Sequence, residues 1–172
     1  MTATLGSTRN VLIAVSDAGL WALWSTICGY AAHRLSAQTL ARDGSLRLRR
    51  FERDGRVYER ALRVKAWKDA LPEAGSLFRG GVSKRRLAGH DRADLERFLL
   101  ETRRAERAHW AILLLAPVFF AWNPWWLALA MLGYGLIANA PCIVVQRYNR
   151  SRLERILGTG VPGWRERRAA SR

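Results

Sequence analysis

Among the three histidines of the chain, His109 has the setting that suggests chemistry. Glu106 lies three residues before it, one helical turn away, and Thr102 falls on the same stripe. A carboxylate beside an imidazole is the pairing a general base needs. An imidazole with a pKa of about 6.5 can accept a hydroxyl proton at neutral pH. The competing role is an interfacial histidine that only caps an aromatic belt. Gly80-Gly81-Val82-Ser83-Lys84-Arg85-Arg86 joins a flexible backbone to three cations. It could cradle phosphates, as of coenzyme A or a lipid headgroup, or serve as a basic membrane-facing loop. Trp67-Lys68-Asp69 offers a further carboxylate, although Asp69 is also placed for an ion pair with Lys65 at i−4. Asn139 sits in an apolar run, where an unpaired amide is costly, so it bonds another helix or lines a polar pocket. No P-loop, GxSxG, HExxH or dinucleotide fingerprint is present. Cys28 and Cys142 do not form a metal-ligand spacing.

The elements that must position these residues follow from where charge is missing. Trp110–Gln146 carries no Asp, Glu, Lys or Arg over 37 residues. That is too long for one span, and Asn123-Pro124 interrupts it where a turn fits. The pattern predicts a membrane helical hairpin, Ala108–Trp122 and Trp125–Gln146, with Trp122, Trp125 and Trp126 as an interfacial cluster. A soluble buried helix pair is the alternative. Asn10–Ala32 is a further apolar segment long enough to span. Its Trp21 and Trp24, and a single preceding Arg, argue against a cleaved signal peptide. Asp17 within it should face the bundle, stay wet near the interface, or act.

The fold class expected is therefore a mostly α integral membrane protein with about three transmembrane helices. Its organisation is a first helix (1–33), a basic cytoplasmic segment (34–107), a helical hairpin (108–146) and a basic tail (147–172). The net charge of +15 lies beside the apolar segments: 34–107 and its boundary carry most of it, and 147–172 adds eight Arg against two Glu. The positive-inside rule then sets the N-terminus and the Asn-Pro turn outside, with both basic segments in the cytoplasm. This suits a multi-pass protein of a bacterial inner membrane that attracts anionic lipids. No nucleic-acid motif accompanies the charge, so nucleic acid is not an expected partner.

Within the basic segment, Asp54-Gly55 between Leu46, Leu48 and Val57-Tyr58 suggests a short β-hairpin. Leu62, Ala66 and Ala70 suggest a helix over Glu59–Ala70. Asp91 should start an amphipathic helix whose face holds Leu95, Phe98, Leu99, Thr102, Ala105 and His109. Nothing breaks this helix before Pro117, so it should run into the hairpin with a kink there. Arg104 and Arg107 would snorkel at the boundary. Gly160–Arg172 reads as a disordered basic tail.

The ordered segments FERDGRVYE, VKAWKDALPEAG, GGVSKRRL, LERFLLETRRAERAHW, WNPWW and NAPCIVVQRYNRSRL resemble the glycosyl-4,4'-diaponeurosporenoate acyltransferase family. The resemblance covers roughly residues 46–154. It implies transfer of a fatty acyl chain to a sugar hydroxyl of a carotenoid glycosyl ester or related glycolipid. The expected co-substrate is an acyl-CoA, with no bound cofactor or metal. On the matching positions, His109 would be the base, Glu106 its orienting carboxylate and Asp69 a further catalytic carboxylate. Lys84, Arg85 and Arg86 would hold the donor. Trp67, Lys68, Arg147 and Asn149 would complete the substrate contacts, and Asn139 would polarise a carbonyl or bond the glycoside. The alternative is a non-catalytic membrane scaffold that binds anionic lipid or a protein.

Overall fold

The computed structural model describes residues 2–42, 46–71 and 91–158. The chain is mostly helical, and no strand occurs among the described residues. Among the described residues, five α-helices carry the architecture: α1 (Thr2–His33), α2 (Ala37–Ala41), α3 (Val64–Trp67), α4 (Arg92–Leu113) and α5 (Trp125–Leu157). Among the described residues, two helical segments are long and apolar enough to cross a membrane, Arg9–His33 of α1 and the whole of α5.

Helices α4 and α5 pack antiparallel and form the spine. Asp91 caps α4, its Oδ1 accepting from the Asp94 N–H at 2.8 Å. The helix ends at Leu113, and a 3₁₀ stretch from Ala116 to Ala121 follows, with Pro117 in its first turn. The expected kinked continuation is thus a change of helix type, because a proline removes one backbone donor and suits a helix start. Asn123-Pro124 makes the turn, and α5 begins at Trp125. It runs without interruption past Pro141 and Gln146 to Leu157, where Gly158 closes it with φ of +67°.

α1 lies along the turn end of this spine. Trp21, Leu115, Ala116 and Phe119 form a buried apolar cluster there, and Trp21 stacks on Phe119 at 5.5 Å. Gly135 makes the approach possible, because a Cβ on it would sit 2.9 Å from the Trp21 ring. Asp17 is buried, 1% exposed, and accepts from Trp122 Nε1 at 3.0 Å and Asn123 Nδ2 at 2.8 Å. It is neither wet nor unpaired; it ties α1 to the Asn-Pro turn. Around this end, Val11, Leu114, Trp125, Trp126 and Ile137 stay exposed as an apolar exterior.

The opposite end is held by arginines of α4 bonded to backbone carbonyls. Arg104 Nη1 donates to Ala32 O and His33 O, closing the last turn of α1. Arg103 Nη1 donates to Leu40 O and Ala41 O at the end of α2, and Arg107 Nη2 donates to Thr39 O and Arg42 O. Arg104 and Arg107 therefore cap helix termini rather than snorkel. Unpaired C-terminal carbonyls carry partial negative charge, which a guanidinium satisfies.

Residues 46–71 wrap this end as tight helical turns, not as the expected β-hairpin. A 3₁₀ turn spans Arg50–Glu52, a π-helical turn spans Val57–Ala61, and Asp54-Gly55 joins them with Gly55 at φ +73°. The expected helix over Glu59–Ala70 is broken at Arg63, φ +48°, so only α3 and a 3₁₀ turn over Lys68–Ala70 form. Tertiary bonding explains the loss of the hairpin. Glu52 and Tyr58, six residues apart, both point into α5, which a two-stranded alternation does not allow.

Candidate functional site

The centre of the polar end is Glu106 of α4, fully buried. The amphipathic pattern puts it on the helix face that meets α5. A lone carboxylate there would be strongly disfavoured, and two arginines one turn apart on α5 neutralise it. Arg147 Nη1 approaches Oε1 at 2.6 Å, and Arg150 Nη1 approaches Oε2 at 2.6 Å. Trp110 Nε1 adds a longer contact to Oε1 at 3.4 Å.

Arg147 also grips a second carboxylate from the wrapping segment. Its Nε and Nη2 donate to Glu52 Oε1 and Oε2 at 2.8 and 2.6 Å, a bidentate fork. Glu52 further accepts from Tyr58 OH at 2.5 Å and from the Arg49 N–H at 2.6 Å. Burial pushes the Glu52 carboxyl upward, but these donors and the Arg147 charge outweigh it and hold it at about 2. Burial and the bond to Glu52 raise the Tyr58 phenol above its ordinary value, so Tyr58 stays a hydrogen donor. Arg150 Nη2 completes the tie by donating to Leu46 O at 2.7 Å. The two carboxylates and two guanidiniums sum to zero charge, which lets them be buried together.

Beside this network opens a cleft of about 700 Å³. Leu46, Leu48, Phe51 and Trp110 give it apolar walls, while Arg47, Arg49, Glu52 and Arg147 supply its charge. Phe51 and Trp110 are both exposed. The cleft thus offers apolar surface and cations side by side, which suits an amphiphile with an acidic or polar head. Three of the five N–H groups of Arg147 are committed to the two glutamates, and Tyr58 also interacts with its guanidinium.

His109 stands one turn further along α4, half-buried against α5. Its Nδ1 lies 3.0 Å from Asn139 Oδ1, and Asn139 Nδ2 donates to Gly135 O at 2.9 Å. Glu106 and His109 do share a helix face, but Glu106 is taken by Arg147, Arg150 and Trp110, and the imidazole has Asn139 instead. The proposed Glu106–His109 dyad is corrected accordingly. Two positively charged partners across the interface outcompete a neutral imidazole on the same helix.

The other expected site residues are placed as follows. Asp69 is exposed and pairs with neighbouring Lys68 at 2.5 Å, while Lys65 pairs with Glu59 at 2.9 Å, so the Lys65–Asp69 pair does not form. Trp67 packs on the cluster of Tyr58, Val64, Val145 and Tyr148, and its Nε1 donates to Leu62 O. Asn149 is half-buried on α5, next to buried Tyr148. Lys84, Arg85 and Arg86 lie outside the described residues. Glu52, Tyr58 and Arg150 had not been singled out from sequence. Their signal was present in the quoted segments FERDGRVYE and NAPCIVVQRYNRSRL, but neither segment reveals that the other is its partner.

Comparison with known proteins agrees with these segments. The family model described as glycosyl-4,4'-diaponeurosporenoate acyltransferase matches residues 42–159. Curated proteins of that name from Staphylococcus aureus strains bovine RF122 / ET3-1 and MRSA252 are each 35% identical over 107 residues, covering 62% of this chain and 64% of theirs. The protein of that name from strain USA300 is 34% identical over the same shares. The chain thus spans 64% of the length of these curated relatives. No solved structure matches. With the matched region containing the whole Glu52–Glu106–Arg147–Arg150 network, the cleft, and the His109–Asn139 pair, the chain belongs to the glycosyl-4,4'-diaponeurosporenoate acyltransferase family.

Proposed function

We propose that the protein is a membrane acyltransferase that moves a fatty acyl chain from an activated donor to a sugar hydroxyl of a glycosylated carotenoid or related glycolipid. The observation that carries this reading is the family match over residues 42–159, which encloses the buried ion network and its amphiphile-sized cleft. The donor is an acyl thioester, acyl-CoA first among the candidates. The acceptor hydroxyl adds to the thioester carbonyl as its proton passes to the His109 imidazole. The carbon–sulfur bond then breaks, and the thiolate takes the proton back from the imidazolium. Arg147, anchored by Glu52 and Glu106 and lining the cleft, offers its charge to the polarised carbonyl or the donor's acidic head. Lys84, Arg85 and Arg86 contribute to holding the donor.

The exposed apolar exterior of α1, the Asn-Pro turn and α5 supports insertion in a bacterial inner membrane. We place three apolar segments across it, α1, 108–122 and the first part of α5, with the basic end in the cytoplasm. The lipidic acceptor and the donor's acyl chain then reach the cleft laterally, past Trp110 and Phe51.

The test is acyl transfer by the full chain in lipid nanodiscs, with palmitoyl-CoA as donor and a carotenoid glycosyl ester as acceptor. Wild type should form the diacyl product. His109→Ala should lower turnover by about 10²-fold or more, the scale of a lost general base. Turnover in His109→Ala equal to wild type would remove His109 from the chemistry. No product from any thioester donor would sink the acyltransferase reading.

A further inference from the structure

The hydrogen bonds around His109 define which of its nitrogens is basic. Asn139 lies at the interface of α5 with α4 and is only 4% exposed. Its Nδ2 donates to Gly135 O at 2.9 Å, one turn back on the same helix. A carbonyl oxygen only accepts, so this bond fixes the amide with nitrogen toward the backbone and Oδ1 toward His109. Oδ1 is 3.0 Å from His109 Nδ1. Because an amide oxygen also only accepts, Nδ1 must carry the proton. In the neutral ring, Nε2 is then the nitrogen with the free lone pair.

We infer that Asn139 is a positioning residue that locks His109 as its Nδ1–H tautomer, so that Nε2 is the atom that takes the acceptor's proton. The inference rests on the reading of His109 as the base, but the tautomer can be measured without any activity. Glu106 could have played this part. Its oxygens are instead engaged by Arg147 and Arg150. An amide suits the position for a physical reason. It holds the ring without adding a second buried negative charge one turn from Glu106, which already needs two arginines. The relay also has a firm base. Gly135 packs directly under Trp21 of α1, where an added Cβ would sit 2.9 Å from the ring, so the carbonyl that orients Asn139 belongs to a close helix contact.

The test uses the full chain in nanodiscs with ¹⁵N-histidine labelling, in a His33→Gln/His90→Gln background that leaves His109 alone in the spectrum. Long-range ¹H–¹⁵N correlations read the tautomer directly. The expected result is a protonated Nδ1 and a bare Nε2. Asn139→Leu should shift the ring toward the Nε2–H form, and Asn139→Asp, whose protonated carboxyl can donate to Gly135 O and still offer His109 an acceptor without adding charge, should keep the Nδ1–H form. In the palmitoyl-CoA assay Asn139→Leu should lower kcat by about 10²-fold with little change in KM. Asn139→Asp should recover a large part of that loss, which a merely structural helix contact would not require. An Nε2–H ring in the wild-type background overturns the inference, whatever the activity. An Nδ1–H ring with wild-type kcat in Asn139→Leu overturns the positioning role. Undiminished turnover in His109→Ala overturns the base reading itself and leaves the measured tautomer standing.

Discussion

Arg147 bridges two carboxylates from earlier, separate elements of the chain, 95 residues and 41 residues away. Such a buried group is strongly destabilised when one member is removed, because the others keep their charge and lose their partner. Glu106→Gln should therefore cost about 3–5 kcal/mol of stability, read as unfolding in detergent followed by circular dichroism. A change within a few tenths would mean that water reaches the two arginines. Glu52 makes a second prediction through pH. Its carboxyl titrates at about 2 in the folded chain, against 4.5 ordinarily. A depressed value adds stability that is complete above about 4.5 and is lost as the pH falls toward 2. The wild-type unfolding midpoint should thus show no Glu52-dependent change between pH 5 and 8, and Glu52→Gln should erase the part lost on acidification. A Glu52-dependent loss beginning near pH 6 would contradict the assignment. Glu106, His109, Asn139 and Arg147 were all legible in the sequence as unusual residues beside an apolar run. Their pairing was not, because spacing along one helix pointed Glu106 at His109, while the decisive partners lay on another helix.

At the scale of elements, the contact between α1 and α5 rests on one missing methyl group. Gly135→Ala would place a Cβ 2.9 Å from the Trp21 ring, so it should destabilise by about 1–3 kcal/mol. Gly133→Ala, two residues away, meets nothing within 4 Å and should be neutral or stabilising by up to about 1 kcal/mol. The pair is measured by thermal unfolding of the same preparation. Equal effects would place the helix contact elsewhere. The Asn-Pro turn and the capped start of α4 could be read from sequence, since each depends on one or two local residues. The wrapping segment could not. Asp54-Gly55 and its flanking apolar residues match a hairpin locally, yet Glu52 and Tyr58 gain more from α5 than a pair of isolated strands can offer. The true end of α5 was hidden for a related reason. The apolar run stops at Gln146, while the helix continues to Leu157 on the strength of Arg103–Glu154 and the Leu99, Leu153 and Leu157 contacts.

The two ends of the molecule differ in surface chemistry. One end is apolar outside and sealed inside by Trp21, Phe119 and Asp17; the other is basic outside, with a neutral ion network at its centre. A cleft carrying both apolar walls and cations opens at the basic end. A reaction between a lipid-borne hydroxyl and a water-borne acyl donor needs such a boundary, because neither substrate enters the other's solvent readily. The most direct measurement is the glycolipid mass profile of the source cells with the gene deleted, then complemented by wild type or by His109→Ala at equal membrane abundance. A glycosylated lipid that is one fatty acyl chain lighter in the deletion, restored by wild type and not by His109→Ala, is the result expected. An unchanged glycolipid profile in the deletion, in cells that express the wild-type protein, would contradict acyl transfer as its role.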